Sequence, residues 1–243
     1  LPELADLCKA ENLWFHVDGA FGALAAIAPN QKALVRGMER ADSLAFDLHK
    51  WMYVPYEVGC ALVRWPEQHR ATFVSPADYL AHLTRGLPAG PIWFSEYGVQ
   101  LSRGFRALKV WMSLKEHGVA KYGRLVDQNC EQAKYLEALV EKETELTLMA
   151  PVSLNIVCFR YAPRGLEDAR ADAANEEILY GLQESGTAVP SSTLLRGRFA
   201  LRVCICNHRT RREDLDLLVR EVMERGRAAA GVHAAGVSAR AKP

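Results

Sequence analysis

An excess of charge of either sign is the first thing this sequence lacks. Its 30 basic residues face 29 acidic ones, a net charge of +1, so there is no electrostatic case for nucleic acid or an anionic membrane surface as partner. No apolar run reaches the length needed to cross a bilayer. The six cysteines (Cys8, Cys60, Cys130, Cys158, Cys204 and Cys206) form no Cys-x-x-Cys pair and no disulfide framework in 243 residues. Reduced thiols and a cytoplasmic location are therefore expected. Cys204, Cys206 and His208 alternate and could share a strand face, but they fall short of a tetrahedral ligand set, so no metal is expected. A glycine-rich phosphate loop is also missing. What is left is an ordinary globular composition, 49% apolar and 24% charged, with ample material for a core.

The most specific chemistry lies in two polar breaks. Residues 13–17 read as a strand that Asp18 stops, followed by the small residues Gly19, Ala20, Gly22 and Ala23, which let backbone approach a flat ligand closely. Residues 31–40 read as a short helix, and 43–46 as a buried strand running out at Asp47, directly before His49-Lys50. Strand, helix, strand at this spacing is a parallel unit with a right-handed crossover. Asp18 and Lys50 then share the carboxyl edge of one sheet, where such sheets bind ligands. A lysine at the mouth of a buried strand sits against desolvating surface, which favours the free amine that carbonyl chemistry needs.

Elsewhere, 2–12 reads as the end of a helix with Leu4, Leu7 and Cys8 on one face, and 58–65 as a strand closed by Pro66. Residues 67–98, rich in proline and glycine, read as a long irregular loop. Helices are predicted over 101–117, with Gly118 as breaker, and over 122–143. Strands at 146–149, 155–161 and 199–206 and helices at 175–185 and 213–224 form an α+β unit, and 226–243 reads as a frayed tail.

The segments 16–21 (His-Val-Asp-Gly-Ala-Phe) and 41–51 (Ala-Asp-Ser-Leu-Ala-Phe-Asp-Leu-His-Lys-Trp) resemble the pyridoxal-phosphate-dependent group II amino-acid decarboxylases. That family includes aromatic-amino-acid, histidine, glutamate and cysteine-sulfinate decarboxylases. The resemblance continues through Tyr79, residues 101–111 and 199–203. It implies an α/β fold of the fold-type I pyridoxal-phosphate enzymes. Residues 1–110 would be the carboxyl-terminal part of the large parallel-sheet cofactor domain, with a mobile loop over about 67–98. Residues 111–225 would form the small carboxyl-terminal domain, and 226–243 a disordered tail. It further implies the carboxyl-terminal part of a longer, homodimeric enzyme.

The same resemblance assigns roles. Lys50 forms the Schiff base with pyridoxal 5'-phosphate, and Asp18 pairs with the pyridine nitrogen. Ala20 leaves room for the flat ring. Ser43 and His49 stand as phosphate-side contacts, and Tyr79 delivers a proton to the α-carbon after CO2 leaves. Arg202 stands where fold-type I enzymes place a carboxylate-binding arginine, and Arg103 and Arg106 lie near the site. Asp47 stands where several relatives carry asparagine and Leu48 where many carry proline; a carboxylate does not itself favour a phosphate. The implied activity is decarboxylation of an L-amino acid, aromatic by overall resemblance, to the amine. Another fold-type I activity (an aminotransferase or aldehyde synthase) and a truncated chain without chemistry stay open on the residues alone. Tyr79 and the His49-Lys50-Trp51 context favour decarboxylation.

Overall fold

A computed structural model describes residues 1–74, 85–86, 89–90 and 92–239. The chain divides into two compact units, Leu1–Gly123 and Arg124–Pro243, a division later than the 110/111 boundary expected from sequence.

The first unit opens with helix α1 (Pro2–Ala10), which has proline in its first turn, where a missing N–H costs nothing. Ala5, rather than Leu4 or Leu7, is its buried residue, packing with Phe15, Ala41 and the partly buried Cys8 and Val17. Strand β1 (His16–Asp18) pairs in parallel with β2 (Ser43–Asp47), which pairs in antiparallel with β3 (Gly59–Val63). The parallel pair is as expected, but the connection differs. Instead of one helix over 31–40 it is three short 3-10 turns, Gly22–Ile27, Lys32–Val35 and Met38–Arg40. Gly37, at φ +95°, prevents the last two from merging, and a Cβ there would lie 2.7 Å from the Pro2 nitrogen.

After β2 comes the four-residue helix α2 (Leu48–Trp51). Leu48 and Trp51, three apart, share its inward face, and Trp51 is fully buried beside the Phe21 ring at 5.0 Å. His49 and Lys50 are thereby left facing outward. The expected loop over 67–98 is partly regular. Helix α3 (Pro66–Phe73) starts at a proline, and Arg70 Nε meets Glu96 Oε2 at 2.5 Å to tie it to the turn Phe94–Tyr97. Tyr79 lies outside the described residues. Helix α4 (Arg106–His117) begins later than expected and stops at Gly118, φ +73°. Helix α5 (Val119–Lys142) follows; a Cβ at its Gly123 would overlap the Ile27 carbonyl.

The second unit is a four-stranded antiparallel sheet in the order β4 (Leu146–Leu148), β5 (Ile156–Tyr161), β7 (Arg198–Cys204), β6 (Ser191–Leu195). Helices α6 (Asp168–Glu184) and α7 (Arg212–Ala239) complete it. Its core joins Leu136 and Val140 of α5, Val157 and Phe159 of β5, Ile178 and Leu182 of α6, Leu201 of β7 and Val222 of α7. Buried Asn175 clamps α6 to the end of β5, accepting the Tyr161 N–H and donating to its carbonyl, both at 2.8 Å. Strand β6 has no counterpart among the elements expected from sequence. Its hairpin to β7 turns through Arg196-Gly197, both at positive φ, the geometry of a two-residue turn usually announced by Asn-Gly. Helix α7 runs on to Ala239, into the stretch expected as a frayed tail, consistent with the high helix propensity of its alanines. Among the described residues no helix is long and apolar enough to cross a membrane, and no group of three or more His, Cys, Asp or Glu side chains could hold a metal ion.

Candidate active site

The site grows from the register of two parallel strands. His16 pairs with Ser43, Val17 with Leu44 and Asp18 with Ala45. Paired residues project from the same face, and alternation along β2 returns that face at Asp47. Asp18 and Asp47 are the last residues of their strands, and Lys50 follows in α2. Two acids and an amine thus gather at one carboxyl edge.

Backbone bonds hold that edge in place. The Gly19 N–H donates to the Ala45 carbonyl at 2.8 Å and the Asp47 N–H to the Ala20 carbonyl at 3.0 Å, extending the pairing beyond Asp18. Asp18 Oδ1 accepts the Ala20 N–H at 3.0 Å, an Asx turn that reverses the chain. Gly19 is required on packing grounds, since a Cβ would lie 2.6 Å from that of Ala23. Among the described residues Asp18 Oδ2 takes no hydrogen bond, which leaves it to a ligand's ring nitrogen.

Within this chain Asp18 is exposed. The Lys50 side chain is not held against desolvating surface as expected: it is 41% exposed, and its Nζ lies 2.6 Å from Asp47 Oδ2. From sequence, Asp47 stands out only as a departure from asparagine. The signal for its real contact is the i,i+3 spacing across a helical turn.

His49 keeps its Nδ1 against the Val58 backbone, 2.9 Å from the carbonyl and 3.0 Å from the amide nitrogen, and meets the Tyr56 ring edge-on at 4.9 Å. Nδ1 either accepts from that amide or donates to that carbonyl, according to the tautomer. In both cases the backbone fixes the ring. Ser43 does not belong to this edge. It lies at the opposite end of β2, about 13 Å along the strand from Asp47 at 3.3 Å per residue, with its hydroxyl on Trp14 Nε1 (2.8 Å) and His16 Nδ1 (2.7 Å). That rules it out as a phosphate contact here. Arg106 pairs with Glu57 at 2.5 Å and bonds Gln100. Its hydrogen bond holds the Glu57 carboxyl below the usual range, and the pair anchors the start of α4. Arg202 belongs to the second unit, where its Nη1 lies 3.3 Å from Ser191 Oγ.

The donor set fits two of the demands made by pyridoxal phosphate. It offers an amine for the aldehyde and a carboxylate for the ring nitrogen, at one carboxyl edge. For the phosphate the described edge offers His49, beside an Asp47 carboxylate that repels an anion.

Comparison with known proteins agrees with this chemistry. The family described as "Pyridoxal-dependent decarboxylase conserved domain" matches residues 1–162. An aromatic-L-amino-acid decarboxylase of Bacillus atrophaeus is 39% identical over 218 residues, covering 88% of this chain and 45% of that protein. A phenylacetaldehyde synthase of a Rosa hybrid cultivar is 28% identical over 212 residues, covering 84% of this chain and 42% of that protein. The crystal structure of Oryza sativa TDC with PLP and tryptamine superposes with a TM-score of 0.80 at 26% identity, over 92% of this chain and 47% of that one. The chain spans less than half the length of these relatives.

Proposed function

The chain belongs to the pyridoxal-dependent decarboxylase family, and from that membership we propose that its protein removes the α-carboxyl group of an aromatic L-amino acid, releasing CO2 and the amine. The observation that carries this reading is the shared carboxyl edge of β1 and β2, with Asp18 on one strand end and Lys50 just past the other. Bound there, the cofactor supplies a protonated pyridine ring that takes up the electron pair left behind when CO2 departs. Lys50 would provide the amine that holds the cofactor through its aldehyde. For that, its Nζ must leave Asp47 and lose a proton, since an ammonium is no nucleophile. Asp18 holds the ring nitrogen in its charged form by the attraction of opposite charges. His49, fixed by the Val58 backbone, would meet the cofactor's phosphate. Tyr79 returns a proton to the α-carbon. Arg202 takes the substrate carboxylate through its forked donors.

The protein acts as a homodimer in this reading, in the cytoplasm. None of the α4 residues is buried, and Trp111 stands 59% exposed with Leu108 and Met112 on the same helix. That exposed apolar stripe supports an assembled state. Aldehyde formation is the second reading, favoured by the likeness to a phenylacetaldehyde synthase. A panel of L-amino acids assayed with the full-length enzyme for CO2, amine and aldehyde separates the two. Amine from an aromatic substrate supports the proposal, and aldehyde as the main product replaces it with the second reading. Tyr79→Phe is expected to shift product from amine toward aldehyde.

A further inference from the structure

Two of three consecutive residues, Tyr56 and Val58, hold His49. The Tyr56 ring meets it edge-on at 4.9 Å, and Val58 sets its amide nitrogen (3.0 Å) and its carbonyl oxygen (2.9 Å) against Nδ1. That carbonyl also accepts the Leu48 N–H at 3.0 Å. Among the described residues the acceptor that the Val58 amide finds is Nδ1. Val58 is buried, and a buried N–H without an acceptor is costly. Nδ1 is therefore the better acceptor than donor, which puts the proton of the neutral ring on Nε2. Nε2 is then a donor, as a phosphate requires. The peptide that carries the Val58 amide joins it to Glu57, which is exposed and not held by burial. Its carboxylate is gripped instead by Arg106 at the start of α4. Nε and Nη2 both donate to Glu57 Oε1, at 2.9 and 2.5 Å, and Nη1 donates to Gln100 Oε1 at 3.1 Å. All three guanidinium nitrogens are thus engaged, and the fork is braced by the segment leading into α4.

We propose that Glu57 and Arg106 are positioning residues for recognition of the cofactor's phosphate: the pair fixes the 57–58 peptide, and that peptide keeps the His49 proton on Nε2. The proposal rests on the reading of this edge as a pyridoxal-phosphate site. Neither residue need touch the cofactor, since each acts through the Val58 amide and the His49 ring. The tautomer matters at this edge because the Asp47 carboxylate already places a negative charge there. A ring with its proton on Nδ1 would turn a lone pair to the phosphate and add to that repulsion. An exposed ion pair contributes little to folding stability, so the effect of this one belongs in phosphate recognition and not in the fold.

The test titrates full-length protein, stripped of cofactor, with pyridoxal 5'-phosphate and with pyridoxal, which lacks the phosphate. Absorbance gives the dissociation constants, and borohydride labelling of Lys50 shows that each ligand reaches the site. Glu57→Gln and Arg106→Gln are each expected to weaken pyridoxal phosphate by about three- to tenfold, the worth of one net hydrogen bond, and to leave pyridoxal unchanged. The double variant is expected to lose no more than either single one, as residues acting in one chain do. Arg106→Lys, which keeps the charge and loses the fork, is expected to fall between. The urea midpoint is expected to match the parent's throughout. His49→Ala is expected to lose the same preference for phosphate, and Glu57→Gln added to it to cost nothing more. Equal weakening of both ligands would make the pair structural and overturn the proposal. So would a phosphate preference that His49→Ala loses and Glu57→Gln keeps. Both results leave the decarboxylase reading standing, whereas a label on another lysine removes that reading and the proposal with it.

Discussion

Three side chains at the carboxyl edge make separable demands. Asp18 supplies charge, not shape, to the ring nitrogen, so Asp18→Asn should keep the cofactor's absorbance band yet lose roughly a hundred- to thousandfold in kcat, the usual cost of one preorganised electrostatic contact. An unchanged kcat would remove Asp18 from the mechanism. Asp47 works the other way. It holds the Lys50 ammonium at 2.6 Å and puts a like charge beside the phosphate. Asp47→Asn should therefore tighten pyridoxal phosphate binding about two- to fivefold in an absorbance titration, the scale of an exposed ion pair. Weaker binding would mean that the carboxylate helps rather than hinders. Residue type and spacing alone make Asp18 and Lys50 legible in the sequence. That both are exposed is not legible there, because burial is a tertiary fact. Ser43 opens its strand in the sequence reading too, so its phosphate-side role comes from the resemblance and not from the strand pattern.

At the scale of elements, α2 is a single turn, too short to hold itself together. Its geometry comes from Trp51, fully buried against Phe21. Trp51→Ala should destabilise the first unit by about 3–5 kcal/mol in urea unfolding and loosen cofactor binding with it; a loss well below 1 kcal/mol would show that α2 is set by something else. In the second unit, burial and the hydrogen bond to Glu145 push the Tyr161 hydroxyl up to about 12. A raised folded value means that this stabilisation is complete below the unfolded value of about 10 and is lost as pH rises through about 12. The urea midpoint should thus fall over that window, and Tyr161→Phe should fall less; equal falls would contradict the assignment. Strong periodicity makes β2, α5 and the core strand β5 legible in the sequence. The departures fall where periodicity is weak. Gly37 breaks the 31–40 helix, the Arg196-Gly197 turn hides β6, and α7 continues through an alanine-rich stretch with no stripe to mark it.

At the scale of the whole molecule, one lysine differs from the others among the described residues. Several lysines are as exposed as Lys50, so exposure alone does not select it; the shared edge with Asp18 does. The most direct measurement loads full-length protein with pyridoxal phosphate, reduces it with borohydride and maps the label by peptide mass spectrometry. A stoichiometric pyridoxyl label on Lys50, lost in Lys50→Ala, is the predicted result. A label spread over other lysines, or one that persists in Lys50→Ala, would contradict it.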